Sequence, residues 1–243
     1  QGREKTYTLD ANGNVIAEID FNGNRTTYRY DRLNRLVETI FVDGTKKEFS
    51  YDALGNLTKA VNSVVEERFF YDELSRLVRA ETIGLLNTES KVVEFNYDKV
   101  GNTTAVIAYE GNGPRVINYL FDELNRLSRV TLPDGGKIEF KYDALNRIIE
   151  RINANDTKTV YTYTPRGELE SIVNYQDRGH GKVLSAYGYL YNAKGQRIYQ
   201  IKEDGDLTAY RYDPAGRLIE VYYPFTDKKK IADLKERQFY GLV

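Results

Sequence analysis

The side chains able to do chemistry in this sequence are few in kind and repeated in place. There is one histidine, His180, between Gly179 and Gly181, and there is no Cys, Met or Trp. A thiol nucleophile, a zinc site, a disulfide framework and a histidine cluster are therefore excluded. A lone His in a loop, Gln176–Lys182, implies no partner for proton transfer, and a solvated side chain is expected. Asp10-Ala-Asn12-Gly-Asn14 superficially resembles a calcium loop, but it lacks the distal bidentate acid, so turn capping is expected. Arg35, Arg76, Arg126, Arg147 and Arg217 each stand four residues after an Asp. They could bind anionic glycans, but the expectation is Asp–Arg pairing from one repeat of the pattern to the next. No carboxylate pair stands out for acid–base work. No catalytic residue, metal or cofactor is expected.

The remaining inventory narrows the partners. Lys and Arg total 35 against 36 Asp and Glu, a net charge of -1, which argues against a nucleic-acid partner. No apolar run approaches the ~20 residues of a membrane span, so no membrane insertion by this segment is expected. Asn24, Asn56, Asn102 and Asn155 match the Asn-x-Ser/Thr acceptor, expected to be unmodified in a bacterial chain. Tyr109, Tyr175 and Tyr222–Tyr223 are the irregular rings that would best suit a sugar face. With neither an initiator Met nor a charged-then-apolar leader at Gln1–Asp10, the chain is expected to be an internal piece of a longer one.

The elements that must hold these side chains come from one pattern, recurring about every 21 residues. Its anchors are Leu9, Tyr30, Tyr51, Tyr71, Tyr97, Phe121, Tyr142, Tyr163, Tyr191 and Tyr212. An acidic residue follows most of them: Asp10, Asp31, Asp52, Asp72, Asp98, Asp122, Asp143 and Asp213. Two residues before each anchor stands another aromatic: Tyr7, Tyr28, Phe49, Phe69, Phe95, Tyr119, Phe140, Tyr161, Tyr189 and Tyr210. That spacing puts both rings on one face of a strand. Four residues after the anchor comes Gly13, Asn34, Gly55, Ser75, Gly101, Asn125, Asn146, Gly167, Gly195 or Gly216. These residue types favour a left-handed turn. A second strand follows, beginning for example at Leu36, Leu57 or Leu127, and its faces are broken by charges such as Glu38, Lys59 and Arg79. Asn22-Gly23, Asp43-Gly44, Asp134-Gly135 and Asp204-Gly205 then signal hairpins.

Strand, tight turn, strand, hairpin gives an all-β chain of roughly twenty antiparallel strands, more than an open flat sheet holds. A curved or spiral ribbon is expected over residues 1–222. A propeller is the alternative, although no doubled period marks its blades. The longer steps of the pattern read as loop insertions at Gly84–Ser90, Glu110–Pro114 and Gln176–Lys182. Residues 223–243 read as an extension, with a short amphipathic helix at Asp227–Phe239 whose Lys228–Lys230 are solvated, or a partial repeat. The aromatic face should be buried, so that Phe95→Ala or Tyr161→Ala costs ~3–5 kcal/mol.

The motif stands in full at Tyr212-Asp213-Pro214-Ala215-Gly216-Arg217-Leu218, with close variants from Tyr30 and Tyr51. In this it resembles the YD-repeat, or Rhs-repeat, family, from Tyr7 to about Leu218. That family comprises bacterial polymorphic toxins, wall-associated proteins, the C component of insecticidal toxin complexes, and teneurins. The resemblance implies a segment of a β-sheet shell in a large secreted or surface protein, more bacterial than eukaryotic. Its partners would be the rest of the parent polypeptide and an enclosed toxin domain. The alternative it implies is an adhesion module binding carbohydrate or a cell surface. The self-cleaving site and toxic domain of toxin members have no counterpart here, so the resemblance carries no catalytic residue across.

Overall fold

A computed structural model describes residues 4–85, 90–111 and 113–223. Those residues form strands joined by turns and by a longer loop at Gln176–Lys182, with no helix among them. The predicted helix at Asp227–Phe239 lies outside the described residues. The chain divides into two compact units, Gln1–Asn118 and Tyr119–Val243, with the boundary inside one strand.

The first unit holds β1 (Thr6–Leu9), β2 (Val15–Ile19), β3 (Arg25–Tyr30), β4 (Leu36–Ile40), β5 (Lys46–Tyr51), β6 (Leu57–Val61), β7 (Val65–Tyr71), β8 (Leu77–Gly84), β9 (Lys91–Tyr97), β10 (Thr103–Glu110) and most of β11 (Gly113–Phe121). The second holds β12 (Leu127–Thr131), β13 (Lys137–Tyr142), β14 (Ile148–Ile152), β15 (Lys158–Tyr163), β16 (Leu169–Tyr175), β17 (Val183–Tyr191), β18 (Arg197–Lys202), β19 (Leu207–Tyr212) and β20 (Leu218–Tyr222). Within each unit the strands pair antiparallel with their sequence neighbours, as a meander.

The turns have one design. At the anchor turns Asp31 N–H donates to the Arg35 carbonyl and Asn34 N–H to the Asp31 carbonyl, and the same pair of bonds recurs in each repeat. The residue closing the turn has positive φ, from 57° at Asn125 to 98° at Gly101. Hairpin turns reuse the geometry: Asp20 N–H donates to Asn24 and Gly23 N–H to Asp20. Only Gly23 of the Asn22-Gly23 pair has positive φ. This marks the three-residue loop with a bulge rather than a two-residue turn.

Behind the anchor turn the register slips. Arg29 lies opposite Glu38 but Tyr30 opposite Leu36, so Val37 is passed over. The slip recurs before Tyr51, Tyr71, Tyr142, Tyr163, Tyr191 and Tyr212. A β-bulge of this kind moves the residues beyond it to the other face. Leu36 and Glu38, two apart, therefore face opposite ways, which is why the second strands look ragged in sequence.

Two expectations are corrected. The longer repeats do not confine their extra residues to turns: β8 and β10 have 8 residues, and β11 and β17 have 9. Extra residues inserted in pairs across a hairpin keep every backbone group bonded, so lengthening both strands satisfies more N–H and C=O groups than a loop would. Nor is the aromatic face buried. The rings from Tyr28 to Tyr212 at the repeat positions are half-buried and Tyr7 is exposed. The buried apolar residues among those described are small or aliphatic, chiefly Ile152, Val173, Ala186, Ile201, Leu207 and Ala209 of the second unit. Among the described residues the strands in each unit touch mainly their sequence neighbours, so there the ladder covers the rings from the sides.

Candidate functional site

The chemistry-bearing residues of the repeat meet in one recurring cluster at the anchor turns. Asp31 Oδ1 accepts from the backbone N–H of Leu33 at 2.9 Å and of Arg35 at 3.0 Å. Arg35 Nε donates to Asp31 Oδ2 at 2.7 Å. Its guanidinium lies 4.7 Å from the centre of the Tyr51 ring, and Nη1 donates to the Asp52 carbonyl at 3.1 Å. Tyr51 returns the link: its hydroxyl donates to the Leu36 carbonyl at 2.9 Å. This repeat thus grips the next through Arg35 and is gripped back through Tyr51.

The cluster recurs as Asp72–Arg76–Tyr97–Asp98 and as Asp122–Arg126–Tyr142–Asp143. Arg147 binds Asp143 and stacks 4.4 Å from Tyr163, while its buried Nη1 has no hydrogen-bond partner. Tyrosine hydroxyls reach back to a strand-opening carbonyl at Tyr30, Tyr71, Tyr97, Tyr142, Tyr163, Tyr191 and Tyr212 as well. Leu9 and Phe121 are the two anchors with no hydroxyl to give. Where Arg is replaced by Asn14, Asn56 or Asn102, the side-chain amide donates to the Asp instead. Gly55, Gly101 and Gly216 supply the left-handed closure beside Asp52, Asp98 and Asp213. Asn34, Ser75 and Asn146 supply it too, and accept side-chain hydrogen bonds from the preceding repeat.

The electrostatics follow from these bonds. The Asn14 amide and the turn N–H groups hold the Asp10 carboxyl below the usual carboxylate range, and the Asn56 amide does so for Asp52. At Asp31, Asp72, Asp122, Asp143 and Asp213 the largest cause is the backbone N–H of the Arg four residues on, assisted by its guanidinium. Burial pushes the Tyr71, Tyr142 and Tyr163 phenols up.

These contacts correct the Asp–Arg expectation. The ion pair is made within a repeat, and the link between repeats is Arg to ring and carbonyl. The reason is reach: the tight turn brings the two residues together, leaving the guanidinium's far edge pointing at the next turn. The calcium-like loop is likewise closed, since Asp10 Oδ1 accepts from the N–H groups of Asn12 and Asn14. No group of three His, Cys, Asp or Glu able to hold a metal occurs among the described residues. His180 is exposed, yet its ring meets Tyr175 edge-on at 5.0 Å and a ring nitrogen lies 2.9 Å from Lys158 Nζ. Lys158 is 2 % exposed and donates to the Arg178 carbonyl at 2.6 Å. Nothing in the sequence marks it, because strand-opening lysines such as Lys46 and Lys137 look the same and are exposed. Of the irregular rings, Tyr109 donates to Glu94, Tyr222 to Glu220 and Tyr223 to Asp206. No described helix is long and apolar enough to cross a membrane.

Comparison with known families matches residues 79–232 to the teneurin YD-shell, and residues 10–46 to the RHS repeat. The chain belongs to the YD-shell family. Among curated relatives, the tRNA nuclease WapA of Bacillus subtilis (strain 168) is 30% identical over 153 residues, 63% of this chain and 6% of that protein. The double-stranded DNA deaminase toxin A of Burkholderia cenocepacia (strain H111) is 25% identical over 150 residues, 56% of this chain and 10% of that protein. This YD-shell chain therefore spans about a tenth or less of the relatives it matches. Among solved structures, the TcdB2-TccC3-TEV crystal structure overlays with a TM-score of 0.70 at 15% identity, covering 89% of this chain and 13% of that one. At that identity the likeness is one of fold.

Proposed function

We propose that this YD-shell segment is a non-catalytic wall of a large secreted or cell-surface polypeptide, whose sheet encloses or displays a toxin or effector domain carried elsewhere in that polypeptide. The observation that carries this reading is the staple. Asp, Arg and Tyr, the side chains best suited to chemistry, are committed in repeat after repeat to holding the neighbouring turn. The relatives named as a nuclease and as a deaminase share this stretch with the chain while differing in activity, which supports placing those activities outside it.

Limited proteolysis of the parent polypeptide tests the wall. A domain enclosed by the shell is expected to survive protease that cleaves it when expressed alone, and equal cleavage in both settings overturns the proposal. Incubated by itself with tRNA and duplex DNA, this chain is expected to leave both intact. Turnover by the chain would place an active site within it. Saturable binding of the isolated chain to one sugar class on a glycan array would replace the wall with the adhesion module.

A further inference from the structure

One buried cation of the second unit stands outside the staple. Lys158 opens β15 and is 2 % exposed. It belongs to a row of directly opposed residues on one face: Glu139 of β13, Ile152 of β14, Lys158 of β15 and Tyr175 of β16. The β16–β17 loop, residues 176–182, folds back over the end of that row. Its Arg178 carbonyl accepts from Lys158 Nζ at 2.6 Å, and both ring nitrogens of His180 lie 2.9 Å from the same Nζ. The equal distances place the ammonium against the ring, between its two nitrogens. The His180 ring meets Tyr175 edge-on, and Lys158 Nζ lies 5.7 Å from the centre of the Tyr175 ring.

An ammonium removed from water is costly unless its donors are met and its charge is balanced. Here a carbonyl and an imidazole meet it, both from one loop, and among the described residues Lys158 makes no ion pair. The carboxylates around the loop are engaged elsewhere. Glu139 pairs with Arg129 and Arg178, and Asp156 of the β14–β15 turn pairs with Arg178. Asp177 Oδ1 accepts from the N–H groups of Gly179 and Gly181. Ile152 and Val183, from β14 and β17, bring no charge to the row. Lys182 is a further cation and closes the loop through its carbonyl, which accepts from Gln176 N–H at 2.8 Å. His180 itself is held at φ 61°, between two glycines, in a region that glycine enters without strain. Contacts of the ring, not backbone preference, set its place.

We propose that the loop 176–182 is an acid-released latch: neutral His180 closes it over Lys158, and protonated His180 opens it. An imidazole ordinarily gains its proton between about pH 7 and pH 5. The neutral ring offers the ammonium a lone pair and an electron-rich face. The imidazolium offers neither, and it sets two cations 2.9 Å apart with every nearby carboxylate already engaged. His180 is exposed, so the proton reaches it, while Lys158 is cut off from the water that would screen the repulsion. The opening is local, since the β16–β17 ladder carries the loop's ends. What changes is access: Lys158 and Tyr175 become surface in acid only.

The inference goes beyond the wall proposed above and does not rest on it; a latch that stays shut says nothing about whether a parent polypeptide protects a domain. Nuclear magnetic resonance of this chain tests it, and the single histidine gives one unambiguous imidazole signal. A cross-relaxation peak between the His180 and Tyr175 rings is expected at about pH 8 and is expected to vanish at about pH 5, in step with protonation of the ring. The N–H shifts of Gly179 and Gly181 are expected to move with it. The range ends at about pH 5, where the turn aspartates are still ionised. His180→Gln keeps a hydrogen-bond acceptor that takes no proton, and its Gly179 and Gly181 shifts are expected to stay constant over that range. Lys158→Met removes the ammonium, and its ring contact is expected to survive at about pH 5. Far-ultraviolet spectra show whether this buried substitution folds; where it does not, the wild-type chain and His180→Gln, altered only in the exposed loop, decide. A ring contact that persists with His180 protonated overturns the inference, and so does one absent at both pH values. A transition that survives in His180→Gln belongs to another group and overturns it equally. One that survives in folded Lys158→Met does so too, because the imidazolium then has no ammonium to repel.

Discussion

At the scale of single residues, the repeat behaves as a set of replicate experiments. Phe121 shows that the anchor hydroxyl is dispensable within the array, and the eight tyrosine anchors measure what it contributes. Tyr51→Phe removes the bond to the Leu36 carbonyl while keeping the ring under Arg35. It is expected to cost about 1 kcal/mol in urea unfolding, the ordinary net value of such a bond. The rings themselves are half-buried, so the cost of truncation is smaller than full burial would give: Phe95→Ala is expected to cost ~1.5–3 kcal/mol. The aspartates make a third prediction. Their folded carboxyls are held below the unfolded value of about 3.9, so the native state binds fewer protons there. The stability they contribute is fully present above that value and is lost as pH falls through the lower folded values. Thermal melting is therefore expected to hold between pH ~5 and ~7 and to fall below pH ~4. A melting curve that keeps its midpoint at pH ~3 would mean the turns do not depend on ionised Asp.

At the scale of elements, the turn is where sequence and backbone agree most closely. Gly55 has φ 95° with nothing within 4 Å of an added Cβ. Gly55→Ala is therefore a pure backbone test, expected to cost ~1–2 kcal/mol. Ser75 occupies the equivalent place at φ 58°. Ser75→Asn is expected to raise the urea midpoint, because Asn tolerates this region better and still offers Asn56 an acceptor. Anchors and closing residues were legible because ten copies repeat the same demand, and a residue type that recurs at one place reports its own geometry. Hairpins were legible only where Gly marks them. The turn at Asn153–Thr157 closes with Asp156 at φ 63°, which no Asp-Gly signal announces. The bulge past Val37 was hidden because it is a property of pairing between two strands, not of either strand's own alternation. Lys158 was hidden for a similar reason: its burial depends on where the loop carrying Arg178 and His180 folds back.

At the scale of the molecule, stability in a meander of this kind is close to a sum of repeat terms and neighbour terms. The terms are not equal along the chain. β1 is exposed at every residue and so is β20. β18 and β19 bury Ile201 and Leu207, at 2% and 1% exposure, with Leu190 and Tyr199 packed on them. β15 to β17 add Lys158, Thr159, Ser171 and Ala186, all buried. Protection from hydrogen exchange tracks the free energy needed to open a segment, and segments with few buried contacts open first. Amides of Thr6–Leu9 and Leu218–Tyr222 are therefore expected to exchange first, and those of Arg197–Lys202 and Leu207–Tyr212 last. Leu207→Ala then distinguishes a graded array from a single cooperative unit. In a graded array the variant speeds exchange in β17 to β19 and leaves β3 to β6 as they were. Uniform acceleration across β3 to β19 would show that the staples couple every repeat into one unfolding event.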